Sequence, residues 1–208
     1  MTNDTDGEKS SARGRLIVFE GLDQSGKETQ ATVLRDRLRS GGHRSRLVSF
    51  PDYGTSIGEE IARSLQGERD YDATVMQLLY VANRYERRAD LERWLAGGLV
   101  LVSDRYVASS IAYGAAQGLD ADWLTALQDF LPAPDLTILL DIAPETALRR
   151  KSTDRDRYER DLELLARVRD SYRHQATQVG WVQIDGERPK EDVAADVMVA
   201  VAGSLERP

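Results

Sequence analysis

The sequence predicts an α/β fold: a parallel sheet of about five strands, covered on both faces by helices. Three observations point there. Short runs such as Leu99-Val100-Leu101-Val102 are apolar at every position, as in a strand buried on both sides. Longer stretches between them carry apolar residues at helical spacing. The first apolar run ends in a glycine turn that opens directly into one of those stretches.

Leu16-Ile17-Val18-Phe19 is the first strand in this reading. Lys27 to Ser40 follows as a helix, with Ala31, Leu34 and Leu38 on one face and Gly41-Gly42 as its stop. Leu47-Val48-Ser49-Phe50 is the second strand, ended by Pro51. Ser56 to Leu65 and Asp72 to Leu95 read as two helices, the second broken by Gly97-Gly98. Leu99 to Val102 is the third strand. Leu136 to Leu140, after Pro132 and Pro134, is the fourth, and Trp181-Val182-Gln183-Ile184 is the fifth. A last helix shows Val193, Val197 and Val201 on one stripe.

The chain of 208 residues is long enough for one domain with a full core. Residues 1–13 are polar and charged and read as a disordered tail, leaving 14–208 as a single domain. Acids outnumber bases 35 to 28, a formal charge of −7, which argues against a broad nucleic-acid or membrane surface. There is no cysteine, so disulfides and thiolate metal sites are excluded. The two histidines, His43 and His174, are far apart in sequence. No apolar run approaches a membrane span, and Met1 to Ser11 lacks the apolar core of a secretory signal. The expected location is cytoplasmic.

Gly21-Leu22-Asp23-Gln24-Ser25-Gly26-Lys27 fits G-x-x-x-x-G-K between a strand and a helix, the context that this phosphate-binding motif requires. Its glycines let backbone N–H groups curl around phosphate oxygens, and the helix N-terminus adds positive potential. Lys27 would neutralise the β- and γ-phosphates of ATP. The chain therefore reads as a three-layer P-loop NTPase fold. After Lys27, a Ser or Thr normally supplies a hydroxyl to magnesium; here Glu28 stands in that place and Thr29 follows. Either Glu28 ligates Mg²⁺, directly or through water, or it points away.

Asp104-Arg105-Tyr106 follows the third strand, at the sheet edge where ligands collect. Asp104 there suits hydrated Mg²⁺, and Arg105 suits phosphate oxygens. Tyr80 and Arg84 are four apart and share a helical face that could hold a base and a phosphate, or simply face core and solvent. Arg149, Arg150, Lys151, Arg155, Arg157 and Arg160 cluster before the next long helix and read as an arginine-rich lid at about residues 150–160.

Taken together these residues resemble the thymidylate kinase family. The likeness runs through Phe19-Glu20-Gly21-Leu22-Asp23 to Gln30, Phe50-Pro51 with Thr55 and Gly58, and Ala82-Asn83-Arg84. It continues through Asp104-Arg105-Tyr106 with Ser109, Ala112 and Tyr113, then Pro134-Asp135-Leu136 and Leu140-Asp141. It covers nearly everything after about Arg13. The resemblance implies a homodimer, Mg²⁺, ATP as donor and dTMP as acceptor, and it implies roles. Asp23 would sit beside the acceptor phosphate and sugar. Tyr80 would stack on the thymine, Arg84 would orient it, and Pro51 would shape the floor. Arg105 would hold the dTMP phosphate, Asp104 would orient magnesium, and Ser109 and Tyr113 would line the nucleoside pocket. Family members that lack an arginine inside the phosphate loop, as this chain does at Gln24, supply it from the lid; Arg157 is the leading choice. Asp52 and Tyr53 stand where many relatives carry an arginine in the acceptor-phosphate clamp.

Two other readings are kept. A deoxynucleoside kinase of similar fold would need a carboxylate base near a neutral hydroxyl, and Asp52 is the candidate. A nucleotide-binding relative without catalysis is the other, suggested by Glu28.

Overall fold

The structure is a computed structural model and describes residues 13–150 and 161–205. Five parallel strands form one sheet in the order β2-β3-β1-β4-β5. They are β1 (Leu16–Glu20), β2 (Ser45–Ser49), β3 (Val100–Asp104), β4 (Leu136–Asp141) and β5 (Trp181–Asp185). The helices are α1 (Lys27–Ser40), α2 (Ser56–Leu65), α3 (Ala73–Glu86), α4 (Arg88–Ala96) and α5 (Val107–Ala116). After them come α6 (Ala121–Ala126), α7 (Pro144–Arg150), α8 (Leu162–Gln175) and α9 (Lys190–Leu205).

The period-two geometry of a strand sends neighbouring side chains to opposite faces, and β1 serves both. Ile17 and Phe19 pack with Ala31, Leu34 and Leu38 of α1 and with Val193, Val197 and Val201 of α9. Leu16 and Val18 pack on the other face with Leu91 and Leu95 of α4. Further along that face, Leu139 of β4 meets Ala108 and Ala112 of α5 and Leu165 and Val168 of α8. The three layers expected from the apolar runs are present.

The expected helix from Asp72 to Leu95 is two helices. Arg87 sits between them at φ −97° and ψ −5°, and its N–H bonds back three residues to Arg84. Its guanidinium is held 2.6 Å from Asp52, so a tertiary ion pair fixes the joint. Apolar periodicity continues across the break, which hid it from the sequence. Helices α5, α6 and α7 were not anticipated: α5 is rich in Ala and Ser, and α6 and α7 are each under eight residues.

After β1 the chain builds β2 and β3 on one side, then crosses β1 to build β4 and β5 on the other. The direction of winding therefore reverses at β1, which opens a crevice at the carboxyl end of the sheet. The glycine turn leaves the sheet there.

Candidate active site

The loop from Gly21 to Lys27 is shaped by positions that only particular backbones tolerate. Gly21 has φ +139°, and a Cβ on it would lie 2.4 Å from the Leu140 carbonyl oxygen. Any side chain would push the loop off β4. Gly26, at φ +94°, forms the N-cap of α1 and turns that helix's first N–H groups into the loop. Gln24 adopts φ +64° without being glycine. Ser25 is buried and its hydroxyl has no partner. The loop is thus an anion cradle in backbone geometry as well as in motif.

Lys27 is buried, and its ammonium donates to the Leu22 carbonyl at 2.7 Å. Burial, helped by Arg105, lowers its pKa to about 8, against the pull of Asp23 and Asp104. A bound polyphosphate would restore the full charge.

Arg105 lies at the centre of the crevice, in a left-handed backbone conformation at φ +64° that is strained for a non-glycine residue. Its N–H donates to the Phe19 carbonyl at 2.9 Å, which ties the end of β3 to β1. Its guanidinium donates to Asp23 Oδ1 at 2.6 Å, to Ser109 Oγ at 3.2 Å, to Tyr172 OH at 3.1 Å and to the Gly21 carbonyl at 3.2 Å. Burial works to lower its pKa, but the Asp23 carboxylate together with Tyr113, Tyr172 and Asp104 outweighs burial, so Arg105 stays cationic. For Asp23, burial pushes upward; Arg105 and Lys27 outweigh it and hold the carboxyl well below the usual range. Tyr113 donates to Asp23 Oδ2 at 3.1 Å, and burial followed by Asp23 drives its phenol pKa well up.

Asp23, Pro51, Tyr80, Arg84, Arg105, Ser109 and Tyr113 line a single cavity beside this cluster. These are the residues expected to hold the acceptor, and the fold brings them together from the phosphate loop, the segments after β2 and β3, α3 and α5. Arg84 is buried, donates to Ser110 Oγ at 2.9 Å and to Gln128 Oε1 at 3.1 Å, and keeps an unpartnered Nε. Burial lowers its pKa to about 10, still cationic at neutral pH. Tyr53 is half exposed at the cavity edge.

Asp52 does not face this cavity. Its carboxylate pairs with Arg87 at 2.6 Å, and it lines a separate groove with Arg46 and Trp94. The base that a hydroxyl acceptor would need is therefore turned away, because the ion pair at the α3–α4 joint claims it.

Asp104 ends β3 with a buried Oδ1 that has no partner, an open oxygen ligand of the kind a hard cation takes. No group of three or more metal-type side chains occurs among the described residues, so a divalent ion would draw most of its ligands from phosphate and water. Glu28 and Thr29 are both exposed in the first turn of α1. Arg157, with Lys151, Arg155 and Arg160, lies outside the described residues.

Three residues take roles that the sequence reading did not assign to them. Glu20 is wholly buried and accepts from the Tyr106 N–H at 2.8 Å, Ser109 Oγ at 2.7 Å and Tyr172 OH at 3.1 Å. An acid closing an otherwise apolar strand was its visible signal. Tyr172, on α8, shares that network; nothing local marks it. Arg150 donates to the Gln24 carbonyl at 3.1 Å and to the Gly186 carbonyl at 3.0 Å, which clamps the phosphate loop to the loop after β5.

The family model for thymidylate kinase matches residues 19–197. Thymidylate kinase of Arabidopsis thaliana is 39% identical over 194 residues, covering 93% of this chain and 73% of the relative. The Homo sapiens thymidylate kinase is 33% identical over 205 residues, covering 96% of this chain and 97% of the relative. The solved structure of thymidylate kinase from Candida albicans superposes with a TM-score of 0.79 at 29% identity, covering 93% of each chain. With an anion cradle and a cationic acceptor cavity meeting at the switch point of a parallel sheet, the chain belongs to the thymidylate kinase family.

Proposed function

We propose that this enzyme transfers the γ-phosphoryl group of ATP to dTMP, giving dTDP and ADP. The observation that carries the reading is the acceptor cavity itself. It joins a partly buried cationic anchor, Arg105, to an aromatic face, Tyr80, and to a buried donor, Arg84. A nucleoside monophosphate needs those three: a phosphate grip, a stacking ring and a base-edge contact.

The chain's own residues supply alignment and charge. The loop N–H groups and Lys27 hold the donor phosphates, and Arg105 holds the acceptor phosphate with Asp23 fixing its guanidinium. Tyr113, tied to Asp23, closes the sugar side. An acceptor phosphate oxygen is already anionic, so no strong base is required. This agrees with Asp52 turned away and with Asp23 held too acidic to take a proton at neutral pH. Mg²⁺ would sit near the open oxygen of Asp104, where it would neutralise charge on the transferring group. Arg157 is our choice for the lid arginine that meets that charge, and a homodimer is the expected assembly.

The test is ADP release from purified enzyme and Mg-ATP across a panel of nucleoside monophosphates and nucleosides. The expected result is dTMP as the best acceptor, with thymidine inert. Thymidine phosphorylated faster than dTMP would replace this reading with a deoxynucleoside kinase.

A further inference from the structure

Gln77 is 1% exposed, yet neither its Nε2 nor its Oε1 has a hydrogen-bond partner. A buried carboxamide with both ends unsatisfied is costly and uncommon in a folded protein. It borders the acceptor cavity. Gln77, Tyr80 and Arg84 fall at i, i+3 and i+7 on α3, one stripe of the helix.

The far wall fixes the spacing. Arg84 is anchored on Ser110 of α5 at 2.9 Å. Gln77 lies beside Gly114 of the same helix, where an added Cβ would come within 3.3 Å of Gln77 Cγ. Ser110 and Gly114 are four residues apart, about 6 Å along the helix, a span that a single six-membered ring bridges. Tyr80 falls between Gln77 and Arg84 along α3 and lines the same cavity, as the stacking surface. The polar groups left open at the two ends are therefore the Arg84 Nε–H, a donor only, and the Gln77 carboxamide, a donor beside an acceptor.

We propose that Gln77 is a specificity-determining residue that reads the Watson–Crick edge of the acceptor's pyrimidine, taking the N3–H on Oε1 and giving Nε2–H to an adjoining ring carbonyl. The inference rests on the reading of this cavity as the dTMP site and adds the residue that recognises the imide. Arg84, lacking any acceptor, demands a carbonyl at its end of the base and disfavours an exocyclic amine. Gln77 supplies the partner for the one ring N–H of the dione. Its unsatisfied amide is then a binding group kept ready at the expense of stability.

The experiment compares wild type with Gln77→Met, close in volume but without the amide, using dTMP and 3-methyl-dTMP, whose N3 has no hydrogen. Wild type is expected to favour dTMP over the methylated substrate by about 100-fold in kcat/KM, since a site built to pair with an N–H rejects an analogue lacking it. The variant is expected to raise the KM for dTMP about tenfold, to leave the KM for ATP within about twofold, and to shrink the discrimination to within about threefold. Its Tm should equal or exceed that of wild type, because an unpaired buried amide has been removed. An unchanged KM for dTMP with unchanged discrimination overturns the assignment, as does a fall in Tm with dTMP kinetics intact, the mark of a purely structural glutamine. Wild type accepting 3-methyl-dTMP as readily as dTMP overturns it without any variant. Failure of wild type to phosphorylate dTMP at all sinks the reading beneath it, and that outcome is distinct because it appears before any substitution is made.

Discussion

Lys27 shows how one side chain can be read at two depths. Its place in G-x-x-x-x-G-K assigns it to phosphate, but only burial beside Arg105 brings its pKa to about 8. Below that value the free enzyme carries the charge that ATP requires. Above it the ammonium is lost, and ATP binding must take up a proton to restore it. We expect kcat/KM for ATP to fall about tenfold between pH 7 and pH 9, with kcat at saturation holding to higher pH because bound phosphates favour the charged lysine. A pH–rate profile measures both limbs, and a flat kcat/KM to pH 9 refutes the lowered value. The same shift touches folding with the opposite slope. The folded lysine binds fewer protons than the unfolded chain between about 8 and 10.5, so this group's term favours folding more as pH rises through that window.

At the scale of elements, the segment after β2 forms the acceptor cavity because α3 holds it. Asn83 accepts from the Asp52 N–H at 2.7 Å and donates to the Asp52 carbonyl at 3.1 Å and to Thr55 Oγ1 at 2.9 Å. Thr55 caps α2 by accepting from the Gly58 N–H at 3.0 Å. Gly58 is there because of contact: a Cβ on it would lie 1.8 Å from the Asp52 carbonyl oxygen, which is backbone and cannot swing aside. We expect Gly58→Ala to cost about 2 kcal/mol and to raise the KM for dTMP, since the shift displaces Pro51 and Tyr53 from the cavity. Thermal denaturation and steady-state kinetics read the two effects. A variant with wild-type Tm and KM would show that the loop yields freely. The sequence marked Thr55 and Gly58 through the family likeness; why the glycine is needed became visible only when the turn at Asp52 and Tyr53 was seen folded against α2.

Across the whole molecule, Asp141 joins three elements that are distant in sequence. At the end of β4 it accepts from Arg169 and Arg173 of α8, each as close as 2.6 Å, and from Gln183 of β5 at 3.2 Å. Burial acts to raise its pKa; hydrogen bonds and charge from the two arginines outweigh it and hold it below the usual carboxylate range. A lowered carboxyl pKa contributes stability above the unfolded value and loses it as pH falls through the folded one. We expect Asp141→Asn to lose about 1–2 kcal/mol at pH 7, the lower end reflecting the partial exposure of Arg173. The gap from wild type should close as pH drops below about 4. Chemical denaturation at pH 7 and at pH 3 tests this, and a gap that persists unchanged at pH 3 would assign the loss to packing rather than charge.

What the sequence determined by itself was local. The three central strands, β1, β3 and β4, were legible because burial on both faces demands a run of apolar residues that few other structures use, while the half-exposed edge strands β2 and β5 showed only shorter apolar stretches. The phosphate loop was legible because its glycines answer to backbone conformation, at positive φ in Gly21 and Gly26, which a residue type reports directly. The break at Arg87, the turning of Asp52 out of the acceptor cavity, the joining of Glu20 to Tyr172 and the open amide of Gln77 were decided by tertiary structure alone. Each depends on which partner a polar side chain meets across a gap of many residues, and a partner is a property of packed surfaces, which the order of residues along one segment does not carry.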